Sequence, residues 1–364
     1  MRSKTFFILV FIFCVVLAIA FFISRPDKPS RQQALMGQSF FENLPVNDIV
    51  SIQISTGENS VLLKKGLDYW IVGNRYNYPA DFSKITDLVK KLKGAKIGRS
   101  FQASQKALSR LAIHAPDEKD ISKEQQGTRI VLKDKGGKNL ADIILGQAGD
   151  TSAPDLAFYF RNYKDPTVYL IDQNFKFLDK KPLEWIEKKL IDLKAEDIAR
   201  VVCYQSKTNQ RVYAIKRSEK GKDPVFVDLP EGKKTVKYKL EQVIEVLDNF
   251  RIEDVADPDK TLADSDVAGD FRFEFHLFDG TVYHLYPGAA LDDGSENHYL
   301  KVKVSYNPPL KGKEKSKAED TDKPAAEARK QNQKLGAWTY IISKWLTNSL
   351  LTKPDEFFEK EEKK

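Results

Sequence analysis

Cysteine is nearly absent: among 364 residues there are only Cys14 and Cys203. Cys14 lies inside an apolar run, so no disulfide framework is possible. Histidine is almost as scarce, with His114, His276, His284 and His298 making up the set. Phosphate-binding glycine loops are missing. Gly232-Lys233-Lys234-Thr235 lacks the upstream glycine of a P-loop, so this chain is not expected to bind a nucleotide. No G-x-G-x-x-G, G-x-S-x-G or H-E-x-x-H occurs, so catalytic, cofactor-binding and metal residues are all expected to be none. Charge of one sign is also missing. Lysine and arginine total 59 against 52 acidic residues, a net of +7 spread along the chain. That excess suits solubility or weak attraction to an anionic surface, and gives no sign of nucleic acid. Composition is otherwise globular, with 41% hydrophobic, 30% charged and 11% aromatic residues.

One long apolar run is present. Arg2 and Lys4 precede an uninterrupted stretch from Phe6 to Ile23. At 1.5 Å per residue it spans roughly 27 Å, near the hydrocarbon thickness of a bilayer. This is the layout of a signal-anchor, so residues 1–30 are read as a membrane anchor and juxtamembrane segment. The rival reading is a cleaved signal peptide, because Ala18-Ile19-Ala20 has the form of a cleavage site. Against cleavage, the apolar core continues through Phe21, Phe22 and Ile23. Phe11-Ile12-Phe13 before Cys14 excludes a lipoprotein signal. An N-terminal anchor with almost no chain before it places the bulk outside the cytoplasm, although Arg25, Lys28 and Arg31 blunt the positive-inside signal.

The remainder reads as two copies of one module, 40–192 and 193–360. Lys181-Pro182-Leu183-Glu184-Trp185-Ile186-Glu187-Lys188 is echoed by Lys353-Pro354-Asp355-Glu356-Phe357-Phe358-Glu359-Lys360. Ile85, Leu88, Val89 and Leu92 recur as Leu240, Val243, Ile244 and Leu247, one helical stripe in each copy. Asp48-Ile49 and Asp197-Ile198 each open an alternating run, and Asp81 is a plausible N-cap for the first helix. Each copy reads as strands, helix, hairpin, strand and terminal helix, with hairpin turns at Gly57-Glu58-Asn59, Lys135-Gly136-Gly137 and Asp279-Gly280. The expected fold class is therefore α+β: an N-terminal transmembrane helix, then two antiparallel-sheet-plus-helix modules. Lys311 to Lys334, with 13 of 24 residues charged, is expected to be a disordered loop.

Few residues point to chemistry. A two-residue loop at Asp279-Gly280 sets His276 opposite Tyr283 and His284 opposite Phe275, on opposite faces, unable to share a metal. Asp257, Asp259, Asp264 and Asp266 lack the turn glycine and closing glutamate of a calcium loop. Cys203, in an alternating run, reads as a buried strand residue. Trp70, Tyr76, Tyr78, Trp185, Trp338 and Trp345 have no basic stripe among them and read as core, with Trp185 and Phe357 anchoring the terminal helices.

Several features together resemble a bacterial family of membrane-anchored proteins known as a conserved domain of unknown function. They are the Trp70-Ile71-Val72 strand, the helix start Pro79-Ala80-Asp81, Leu111-Ala112-Ile113 ahead of Pro116, Val168-Tyr169-Leu170-Ile171, and Pro182-x-x-Trp185. Members are often encoded beside gliding-motility-type ABC transporter permeases and auxiliary proteins. The resemblance covers most of residues 45 to 360 as two copies and supplies no catalytic residues. It implies a non-enzymatic accessory or scaffold subunit of an ABC-type system, held in the bacterial inner membrane with its bulk in the periplasm or outside. The expected partners are the permease and auxiliary subunits. The alternative is a free-standing envelope hydrolase with a site between the two repeats.

Overall fold

The computed structural model describes residues 35–148, 157–260, 269–308 and 319–359, with the single positions 13, 15 and 262. Apart from Phe13 and Val15, the apolar run from Phe6 to Ile23 lies outside the described residues, as do Asp264 and Asp266. Among the described residues no helix is long and apolar enough to cross a membrane.

The first unit comprises the described residues from Leu35 to Asn74 and those within Phe82–Trp185. Its strands are β1 (Ser51–Ser55), β2 (Ser60–Lys65), β3 (Trp70–Val72), β4 (Ile97–Gln102), β5 (Thr128–Lys133), β6 (Asn139–Ala148), β7 (Phe158–Asn162) and β8 (Thr167–Ile171). They run β3-β2-β1-β5-β6-β7-β8-β4 with antiparallel pairing, in a nine-stranded sheet whose further edge strand is Tyr78–Pro79. The β1–β2 turn closes because the Asn59 N–H donates to Thr56 Oγ1 at 3.0 Å. Alternation along β1 and β2 buries Ile52, Ile54, Val61 and Leu63. Helix α1 (Phe82–Gly94) buries Ile85, Leu88 and Leu92 along one stripe. The short helix α2 (Gln105–Arg110) starts where Ser104 accepts a hydrogen bond from the Ala107 N–H.

The second unit takes in Arg75–Asp81 and the chain from Ile186 onward. A two-stranded ribbon pairs β9 (Lys189–Ile191) with β13 (Phe250–Arg251). That pairing draws the residues before Leu193 into the second unit, so the boundary falls at Trp185/Ile186, ahead of the expected 192/193. The main sheet holds β10 (Ile198–Gln205), β11 (Arg211–Lys216), β12 (Val225–Phe226), β14 (Asp254–Val255), β15 (Phe271–Leu277), β16 (Thr281–Ala290), β17 (His298–Tyr306) and β18 (Thr339–Ile342). Its order is β12-β11-β10-β15-β16-β17-β18-β14, again antiparallel. Counted over the eight strands named in each, the order is the same as in the first sheet. Helices α3 (Lys237–Ile244) and α5 (Lys344–Leu350) complete the core, with Leu240, Val243, Ile244 and Leu350 buried beside Phe273, Phe275 and Phe357. The architecture is thus mixed α+β, with antiparallel sheets and few helices.

Three expectations change. The expected loop at 311–334 is in large part a helix, α4 (Glu319–Gly336), packed against β17. Its charge is arranged around a narrow apolar stripe: Ala328 and Leu335 are buried, and Asn332 Oδ1 accepts from the Val304 N–H at 2.9 Å. Composition counted those charges without their period, and a helix needs only one narrow apolar stripe to dock. The terminal helices are single 3-10 turns, Pro182–Trp185 and Pro354–Phe357, that seat Trp185 and Phe357 in the cores. Finally, the β15–β16 hairpin is shifted by one residue from the expected register.

Candidate functional site

That shift sets His276 opposite Val282, Phe275 opposite Tyr283 and Glu274 opposite His284. A one-residue slip moves every side chain of one strand relative to the other's faces. His276 is two residues from Glu274 on β15, and His284 faces Glu274 across the pair. Both imidazoles therefore share one face, where opposite faces were expected. His276 Nε2 lies 3.2 Å from Glu274 Oε2 and His284 Nδ1 3.6 Å from Oε1. Arg272, on the same face, adds an Nη2 contact to Oε1 at 3.2 Å and stacks over the Tyr204 ring at 4.3 Å. Hydrogen bonds from His276 and His284, with help from Arg272, outweigh burial and hold the Glu274 carboxyl far below the usual carboxylate range. His284 Nε2 is 2.8 Å from Ser305 Oγ. Among the described residues no group of three His, Cys, Asp or Glu is arranged to hold a metal ion.

The same place in the first sheet carries another ion pair. Arg129 on β5 grips Asp142 on β6 with two hydrogen bonds of 2.9 Å and lies 3.5 Å over the Tyr163 ring. Such bidentate pairs are geometrically specific as well as strong. Tyr163 donates to Asp117 at 2.6 Å, and that bond holds the Asp117 carboxyl below its ordinary value.

A second cluster in the first unit was not anticipated. Ser109 Oγ is 3.0 Å from His114 Nε2, and His114 Nδ1 is 2.6 Å from Glu118 Oε2. The connectivity is that of a serine–histidine–carboxylate relay. Nothing in the local sequence signals it, because the three residues lie across a helix end and the following turn without a family spacing. His114 is buried at 1% exposure, and its backbone is tied to Gln125 and Gly127. The buried Arg161 contacts Glu118 Oε1 at 2.6 Å and donates to the Ile113 carbonyl at 2.7 Å. Burial opposes the charge on Glu118, but the Ala115 N–H, His114 and Arg161 outweigh it and keep the carboxyl below its usual range.

Chemically, this relay lacks what acyl transfer requires. Ser109 sits in the last turn of α2, where carbonyls face outward and the helix dipole is negative. Its hydroxyl also lies 3.2 Å from the Gln105 carbonyl, a competing acceptor for its hydrogen. The nearby N–H groups of Leu111, Ala112 and Ile113 are already bonded to helix carbonyls, leaving no pair of them for an oxyanion. The cluster pins the 111–118 turn onto the sheet.

Other singled-out residues are structural. Cys203 is buried, and burial pushes its thiol up to about 12, so it is no thiolate nucleophile. His298 Nδ1 meets the Gly288 carbonyl at 3.1 Å. Asp257 Oδ1 accepts from the Asp259 N–H, an ordinary Asx turn. An open hollow of about 270 Å³ beside that turn includes Lys260, Lys301 and Trp338 in its lining.

Comparison with curated proteins and with solved structures returns no match. Residues 70–267 match the model of a family described as a domain of unknown function, DUF4340. The match begins in β3 of the first unit, ends in the second, and takes in more than half of the chain. The protein is therefore a member of the DUF4340 family.

Proposed function

We propose that this chain is a non-enzymatic accessory or scaffold subunit of an ABC-type transport system, anchored in the bacterial inner membrane by residues 6–23. Its two units are read as tandem copies of one module that act outside the cytoplasm, with the permease and auxiliary proteins as partners. The observation that carries this reading is the strand order shared by eight strands of each main sheet. The apolar run supports the anchor, and the resemblance to proteins encoded with ABC permeases supports the partner. Purification of the full-length protein from native membranes in mild detergent tests it. Stoichiometric recovery of a multi-span permease and a P-loop ATPase is the expected result. Recovery of the chain alone, under conditions that preserve another transporter, overturns it.

A second reading, the envelope hydrolase, has only the connectivity of the Ser109–His114–Glu118 contacts behind it, and the bonded N–H groups around Ser109 weigh against it. A fluorophosphonate probe separates the two. The accessory reading expects no labelling, whereas labelling lost in Ser109→Ala establishes the hydrolase.

A further inference from the structure

In the second sheet, basic residues stand directly opposite a basic residue or an imidazole. Lys216 on β11 pairs with Arg200 on β10, Arg200 pairs with His276 on β15, and His284 on β16 pairs with Lys303 on β17. Lys216 and Arg200 set like charges opposite one another, which is destabilising in a sheet, so a free-standing fold gains nothing from that pair. The one carboxylate among them, Glu274, is already held by His276, His284 and Arg272. Among the described residues Arg200, Lys216, Lys301 and Lys303 have no acidic partner, and Arg200 Nε is shut off from solvent without an acceptor. Lys301 continues the row on β17 toward the hollow at Lys260.

We infer that this face of β11, β10, β15, β16 and β17 is a docking surface for an acidic segment of a partner protein, whose carboxylates lie among Arg200, Lys216, Lys301 and Lys303. The inference rests on the proposed reading only in taking the partner to be a protein. Geometry favours a peptide over a bilayer. Arg200 and Lys301 are half-buried within the sheet face while Lys216 and Lys303 stand out from it. An extended chain lying across strands about 4.8 Å apart can reach both levels, whereas a headgroup plane meets only the outer pair.

The test uses the full-length chain in neutral detergent and fluorescent poly-L-glutamate about 20 residues long. Binding that weakens with salt is expected, and Lys216→Gln/Lys303→Gln should weaken it about tenfold. The control Lys106→Gln/Lys119→Gln, which removes the same charge from the first unit, should leave it within about twofold. The face variant should also melt no lower than the parent, because it relieves the Lys216–Arg200 like-charge pair. Equal binding by parent and face variant, or a lowered melting point, overturns the inference. Vesicles of phosphatidylglycerol that bind more tightly than the peptide and lose that binding in the face variant overturn it in favour of a lipid surface. Peptide binding without permease recovery rejects the transport reading alone; permease recovery without peptide binding rejects the docking face alone.

Discussion

Trp185 shows how one side chain can hold a unit's end. It is 1% exposed, and its indole N–H donates to the Asp179 carbonyl at 3.0 Å. Trp185→Ala should cost about 3–5 kcal/mol, read as a lower urea midpoint. Glu274 offers a pH-dependent counterpart. Its carboxyl titrates far below the ordinary 4.5 in the folded protein, because His276, His284 and Arg272 stabilise the charged form. A depressed folded pKa contributes stability that is complete above the unfolded value and lost as pH falls through the folded one. The stability difference between the parent and Glu274→Gln should therefore be greatest above pH 4.5 and shrink as the pH falls below it, as followed by thermal unfolding at several pH values. A difference that stays constant down to pH 2.5 rejects the assignment.

Helix α4 is an element that composition misjudged and its period explains. Leu335, 1% exposed, is its apolar anchor, with Ala328 two turns earlier on the same face. Leu335→Ala should cost about 2–5 kcal/mol. Lys330→Ala, on the exposed side, should stay within about 0.5 kcal/mol, measured as denaturant midpoints. Much else at this scale was legible: the α1 stripe of Ile85, Leu88 and Leu92, its echo at Leu240, Val243, Ile244 and Leu247, and the turn residues between paired strands. Those patterns are local, since burial follows a period of 3.6 or 2 along the chain itself. The β15–β16 register was not legible, because Asp279-Gly280 fits several loop lengths and only packing of Phe273 and Phe275 selects one. For the same reason the Glu274 cluster could not be read from spacing, and the Ser109–His114–Glu118 contacts had no signal at all.

At the scale of the whole molecule, the second unit is assembled from two separate lengths of chain. Arg75 pairs with Asp254 by two hydrogen bonds, and the Tyr78 ring stacks edge-on against Trp338 at 4.9 Å and Tyr340 at 6.5 Å. Tyr78, 4% exposed, is as much a core residue of that unit as any downstream of Ile186. Tyr78→Ala should lower hydrogen-exchange protection in β14 and β18 while leaving β1 and β5 unchanged. Equal loss in both sets would mean that the segment belongs to the first unit.

The excursion at Arg75–Asp81 also places a demand on synthesis. Arg75 and Asp254 are 179 residues apart in the chain. At ordinary translation speeds of 5–20 residues per second, about 9–36 s separate their appearance at the ribosome. Throughout that interval Tyr78 has no partner ring, although β1, β2 and β3 before it and α1 after it have already been made. The nascent chain must carry Tyr78 without Trp338 and Tyr340 until the end of the second unit is made, a window in which a chaperone has something apolar to hold.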